Sequence, residues 1–257
     1  MYFSYVKLGQ EVSLLNNRWA IVTGADRGVG LSLVKALLEQ DYHVLAGQYL
    51  QESNEALEQL KASYEEQLQV LNLDISDGDS VQQAVESIAA CTDRVDILIN
   101  NGAILGDMSK TIQDTLDFEE MEQVFRVNTL GSLRMSNGLI ESILRSDSKL
   151  IVNISSEAAS IGTCWRNSWY AYCMSKAALN MQSQLIQNQI AAQGGKVMVI
   201  HPGHVQTYMQ GKLDTTGSLT ADESAGSILR QIANRLKPDY GQQELTLIDF
   251  AGNTLPW

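Results

Sequence analysis

Residues 19–40 read WAIVTGADRGVGLSLVKALLEQ, a short apolar run that breaks at a glycine-rich turn and resumes with helical periodicity. The run 19–24 has strand length and β-branched content, whereas Leu31, Val34, Leu37 and Leu38 fall on one face of a helix. Between them Gly24, Gly28 and Gly30 are spaced G-x-x-x-G-x-G. Glycines at such a turn let the backbone bend tightly and approach a ligand without interference from a Cβ. A helix beginning near Gly28 then presents unpaired N–H groups and a positive dipole end, which suit a pyrophosphate.

The same alternation continues outward. Apolar runs recur at 43–47 (HVLAG), 68–73 (LQVLNL), 95–100 (VDILIN), 149–155 (KLIVNIS), 196–201 (KVMVIH) and 244–248 (ELTLI). Amphipathic segments at 51–66, 78–91, 118–145, 170–193 and 220–236 separate them. Val/Ile/Leu-rich strands alternating with helices predict an α/β protein whose mostly parallel, seven-stranded sheet is covered by helices on both faces. No linker or repeat interrupts 19–257, so one doubly wound domain is expected, with residues 1–18 as an N-terminal extension.

Composition narrows the function. The 257 residues are 44% hydrophobic, enough for a substantial core. A net charge of -12 argues against nucleic acid or an anionic membrane as partner. Cys91, Cys164 and Cys173 are an odd, dispersed set that fits a reducing compartment. No apolar stretch approaches the ~18–20 residues of a membrane helix, and the start lacks a secretion signal, so a cytoplasmic protein is expected.

SWYAYCMSKAALN (168–180) raises a chemical question, because only one of its two tyrosines has a lysine four residues on. On a helix Lys176 lies beside Tyr172, while Tyr170 has Met174 in that place. An ammonium there is expected to lower the phenol from its ordinary pKa of ~10 towards neutrality. Tyr208 and Lys212 share the spacing, but Gly211 between them makes a poor helix. His201 and His204 flank Pro202–Gly203, which reads as a turn and not as a metal site.

Taken in order, these motifs resemble the short-chain dehydrogenase/reductase family, in particular its C-factor-like and carbonyl-reductase-like branch. TGADRGVG is similar to that family's T-G-x-x-x-G-x-G. The later motifs are NLDIS, INNGA, VNTLG, NISS, YCMSK, HPGHVQT and the ending DFAGNTLPW. The resemblance implies a Rossmann-type domain, with a cofactor half at about 19–130 and a catalytic half at about 131–257. It also implies hydride transfer between nicotinamide and a carbonyl or secondary alcohol. By that likeness Tyr172 is the acid/base, Lys176 tunes it and holds the nicotinamide ribose, Ser156 binds the substrate oxygen, and Asn128 anchors a water.

Cofactor contacts are implied at Gly24, Asp26, Arg27, Gly28, Val29 and Gly30 of the first turn. Asp74 and Ile75 would meet the adenine, and Asn101, Gly102 and Ala103 the adenosine side. Pro202, Gly203, Val205 and Thr207 of the P-G segment are implied as further cofactor contacts. The sequence also departs from the pattern. NNGA replaces N-N-A-G, and Ser156 and Tyr172 stand sixteen apart instead of about thirteen. The longer segment is expected to bring Cys164, Trp165 or Trp169 to the substrate, with His204 and Tyr208 altering the loop opposite. The second strand ends AGQYLQ without a carboxylate, and Arg27 stands ready for a phosphate, so NADP(H) is favoured over NAD(H). A homodimer or homotetramer is expected by likeness of 118–145 and 170–193 to segments that pair across subunits. A catalytically weak, dinucleotide-binding regulatory protein of C-factor type is the alternative.

Overall fold

A computed structural model describes residues 18–49, 55–209, 211, 213–237 and 244–257. The expected extension up to residue 17, the start of the 51–66 segment and Lys212 lie outside the described residues. The strands are β1 (Trp19–Thr23), β2 (His43–Gln48), β3 (Leu68–Asn72), β4 (Ile97–Asn100), β5 (Leu150–Ile154), β6 (Lys196–His201), β7 (Leu247–Asp249) and β8 (Thr254–Leu255). The helices are α1 (Gly28–Leu38), α2 (Glu55–Ser63), α3 (Gly78–Cys91), α4 (Phe118–Phe125), α5 (Ser132–Arg145), α6 (Tyr170–Ile190) and α7 (Ala221–Arg235). The sheet order is β3-β2-β1-β4-β5-β6-β7-β8, parallel throughout except for the β7–β8 pair.

Strand alternation divides the apolar side chains between two cores. Ala20 and Val22 point to the face covered by α1, α2 and α7, whereas Ile21 points to the face covered by α3 and α5. Leu33, Val34 and Leu37 fill the first core; Met135, Leu139 and Ile143 fill the second. This is the doubly wound Rossmann-type arrangement.

Two features differ from the sequence reading. The sheet has eight strands instead of seven, because the chain after β7 turns back on itself. Asp249 accepts hydrogen bonds from Ala251 N, Asn253 N and Asn253 Nδ2, and that turn pairs the two-residue β8 antiparallel to β7. The expected continuous segment 118–145 is α4 and α5 joined through a π-helical turn at Arg126–Gly131, a local widening that apolar periodicity does not reveal.

A buried polar seam ties the middle of the sheet to the helices behind it. Asn100 Nδ2 donates to Asn153 Oδ1 (2.8 Å) and Ser136 Oγ (3.2 Å), and Asn153 Nδ2 donates to Ser183 Oγ (2.7 Å). Both asparagines are buried, at the ends of β4 and β5 that carry the site. Asn153→Ala removes the bonds to Asn100 and Ser183 and leaves the buried Asn100 amide with Ser136 alone. A loss of about 2–3 kcal/mol is expected, seen as a lower urea midpoint with an unchanged slope.

Candidate active site

In a parallel sheet every strand delivers its C-terminal end to one edge, and the connections leave β1 towards opposite sides at the β1–β4 boundary. Ligands of open α/β sheets bind at such a switch point. Here Thr23, at the end of β1, is the knot. Its Oγ1 accepts from Asn101 N and Gly102 N (both 3.0 Å), while Asn101 Nδ2 donates to Thr23 O and Gly24 O (both 3.0 Å). Gly28 opens α1 at φ +56, a conformation that disfavours a side chain. A Cβ on Gly30 would sit 2.1 Å from Gly24 O, so only glycine lets α1 seat against the turn.

This turn fits a dinucleotide pyrophosphate. α3, α4 and α7 are capped by Asp77, Asp117 and the Thr220–Glu223 capping box, but Arg27 makes no side-chain cap for α1. The first N–H groups of α1 are thus left to a ligand. Arg27 is exposed at that mouth, whereas Val29 packs in the core and offers only its backbone. Asp26 turns away and accepts from Tyr49 N at the end of β2 (3.2 Å). Asp74 Oδ1 is taken by Ser76 N and Oγ, and Ile75 is buried beneath Gly102, next to the half-buried Ala103. Beyond β6, Gly203 (φ +90) packs on Leu219 and Phe250, Pro202 O accepts from Ser224 Oγ, and the buried Val205 bridges Leu219. That loop returns Thr207 to the first turn, where its methyl lies 3.4 Å from the position of a Gly28 Cβ.

Ser156, Tyr172 and Lys176 converge at the end of β5. Ser155, the other serine of its pair, is bonded to Asn180 Oδ1 in the interior (2.6 Å), and Ser156 hydrogen-bonds the Tyr172 phenol. Ser156 Oγ also accepts from Ala158 N (3.1 Å). Lys176 Nζ donates to Ile154 O (2.8 Å) and lies 5.8 Å from the centre of the Tyr172 ring. Tyr172 is 8% exposed and Lys176 3%.

Within the protein alone, packing works against the acidification of Tyr172, an expectation that counted on an oxidised nicotinamide as well as on Lys176. Burial pushes its phenol up to about 12; the Ser156 hydrogen bond works against that and the Glu157 charge with it. Burial pulls the Lys176 amine down to about 7. Both groups lose water, so each favours its neutral form, and desolvation outweighs the attraction inferred from helical spacing.

The structure gives Asn128 a bracing role within the protein. Its Nδ2 donates to Ile104 O (2.8 Å) and Ser175 Oγ (3.0 Å), and its Oδ1 accepts from Ile104 N (2.8 Å). Through these bonds the side chain braces the loop after β4 against α6.

The long connection 157–169 forms the outer wall. Cys164 is exposed and Trp165 is 80% exposed, while Trp169 is half-buried with its ring edge-on to Tyr172 at 6.2 Å. His204 pairs with Asp214 (3.0 Å) and Tyr208 stands exposed on the loop opposite. Sequence reading missed Arg166, which bonds Glu157 through both guanidinium amines (2.9 and 2.6 Å), and also Thr23 and Ser175. Thr23 stood in the quoted turn motif and could have been found; nothing periodic marks a pair nine residues apart.

The short chain dehydrogenase family matches residues 18–217. The C-signal protein of Myxococcus xanthus is 32% identical over 167 residues, covering 65% of this chain and 95% of that one. An uncharacterised oxidoreductase of Schizosaccharomyces pombe is 28% identical over 256 residues, 94% of this chain and 98% of its own. Among solved structures, the NADPH-bound carbonyl reductase from chicken fatty liver superposes with a TM-score of 0.81 at 29% identity, covering 95% of this chain and 100% of that chain.

The Lys176 amine carries a stability signature. Its folded pKa lies below the ordinary 10.5, so the unfolded chain binds more protons between about 7 and 10.5, and stability rises with pH across that window. The penalty is full below pH 7 and gone above about 10.5. Lys176→Met is expected to stabilise the ligand-free protein by about 2–4 kcal/mol at pH 7, net of the lost bond to Ile154. The gain should fade towards pH 10 in denaturant titrations.

Proposed function

Because this chain belongs to the short-chain dehydrogenase family, we propose that it is a carbonyl reductase that prefers NADPH and acts on a small-molecule carbonyl. The observation that carries this reading is the buried Ser156–Tyr172–Lys176 cluster, at the same sheet edge as the uncapped N-terminus of α1. A bound nicotinamide would supply the hydride. Tyr172 then gives its proton to the carbonyl oxygen as charge develops there, and the Ser156 hydroxyl donates a second hydrogen bond to the same oxygen. Lys176, one helical turn on, balances the phenolate left behind by taking up the ammonium form.

The direction of the phenol shift supports reduction. A group held near 12 keeps its proton at physiological pH and serves as a donor; as a base it would be poor. Support for NADPH comes from Arg27, exposed at the mouth, and from β2, which ends at Gln48 and Tyr49 without a carboxylate. The chicken carbonyl reductase holding NADPH agrees with it. The three free cysteines fit a reducing compartment, and among the described residues no helix is long and apolar enough to cross a membrane.

We also read the protein as a homo-oligomer. Met174, Met181 and Leu185 lie exposed along one stripe of α6, and Leu130 and Leu133 are exposed at the start of α5. The likeness to the C-signal protein keeps a second reading open, a dinucleotide-binding regulator with little turnover.

Three measurements decide among these. Nicotinamide fluorescence titration should show tighter binding of NADPH than NADH, and Arg27→Ala should weaken NADPH about tenfold while leaving NADH unchanged. Tyr172→Phe should cut turnover about 10²–10⁴-fold with dinucleotide binding intact, and the reductive rate should stay flat up to about pH 9. Full turnover in that variant, or a limb falling near pH 7, would sink the catalytic assignment. Leu185→Glu should shift the sedimenting species towards monomer.

A further inference from the structure

Glu157 follows Ser156 directly, and Trp169 precedes Tyr172 by three residues, so the two ends of the 157–169 connection adjoin the two reacting hydroxyls. Those ends are bound together. The Arg166 guanidinium, 9% exposed, grips the Glu157 carboxylate in a two-pronged ion pair at 2.9 and 2.6 Å. Its Cζ lies over two indoles, 4.7 Å from the Trp165 ring centre and 4.8 Å from that of Trp169. Trp169 caps α6 in the left-handed region, at φ 65 and ψ 31, and makes no side-chain cap bond. A bulky residue there costs about 1 kcal/mol or more, and such strain persists only where the surroundings impose it. The Arg166 guanidinium over its indole is one such constraint, and the Trp169 ring meets Tyr172 edge-on.

We propose that Glu157, Arg166 and Trp169 form a positioning clamp that closes the lengthened connection and fixes the Tyr172 hydroxyl against Ser156. The clamp acts through Tyr172, so its significance for turnover rests on the reductase reading above. Its charges also bear on the phenol with opposite signs: Glu157 opposes ionisation and Arg166 favours it. Cys173 opposes it too, Ser156 favours it by a hydrogen bond, and Lys176 lies against the ring face. Cys164 and His201 face Arg166 and Glu157 from the outer loop and from β6.

The test uses full-length protein and two independent readouts. With tyrosine labelled at Cζ, the Tyr172 resonance is assigned by its disappearance in Tyr172→Phe, and the fraction ionised is followed by NMR from about pH 8 to about pH 12, where the raised phenol begins to lose its proton. At the top of that range Glu157→Gln should be more ionised than wild type and Arg166→Met less; Arg166→Lys keeps the charge and should stay near wild type. A merely structural role would move the first two in the same direction, and that result overturns the clamp. The second readout is reduction of 4-nitrobenzaldehyde with NADPH. All three variants should lose kcat by about 10–100-fold with KM for NADPH unchanged. Trp169→Gly relieves the left-handed strain, so it should keep or raise the melting temperature yet lose kcat comparably; full kcat in that variant also overturns the clamp. Wild type that reduces no carbonyl would defeat the reductase reading, and the NMR arm would still decide the clamp.

Discussion

Parallel strand pairing is the constraint on which the rest depends. It sends the C-terminal ends of β1, β4, β5 and β6 to one edge of the sheet. At that edge the backbone must leave its ladder, and its polar groups need other partners. Thr23 and Asn101 satisfy each other across the β1–β4 boundary, and Pro202 O finds Ser224. The start of α1 is left without a side-chain partner. The candidate site is therefore a consequence of topology before it is one of chemistry: the fold brings the uncapped start of α1 to the edge where Ser156, Tyr172 and Lys176 are also delivered.

Delivering those side chains has a thermodynamic cost. Lys176 is buried with a single carbonyl partner, Ile154 O, and Tyr172 is buried against Trp169. Neither arrangement is favourable to a charged form, which is why the amine falls and the phenol rises together. A core chosen for stability alone would place apolar residues at both positions. Sites of catalysis are where such cost is tolerated, because the stabilisation lost in the resting protein is regained when charge develops on a substrate.

How much of this was legible beforehand depended on range. β1, the glycine turn and α1 were readable because strand and helix periods and the Gly28 and Gly30 positions are local properties. The two-core arrangement followed from alternation within strands. The β7–β8 pair was hidden because Asp249 makes it through a side-chain turn, and the π-helical turn at Arg126–Gly131 because a single widened turn leaves apolar spacing almost intact. Around the site, helical spacing correctly set Lys176 beside Tyr172 but could not weigh desolvation, a property of everything packed around them. Asn128 was singled out from its motif, yet its partners, Ile104 and Ser175, come from elements distant in sequence. Glu157 and Arg166 left no sequence trace at all, since an ion pair across a loop obeys no period.

The same desolvation supports the reductive direction proposed above. A proton donor and a proton acceptor make opposite demands on one phenol: the donor must hold its proton until the substrate oxygen becomes basic, and the acceptor must lose it beforehand. With Tyr172 pushed up, the resting phenol is neutral, and forming a phenolate ahead of substrate would meet the cost of burial. Forming it together with proton transfer to a nascent alkoxide exchanges one oxyanion for another inside the same cleft, while the neighbouring amine becomes more basic as that negative charge appears. The environment is thus suited to giving a proton away, and it opposes taking one from an alcohol until some other positive charge enters the cleft.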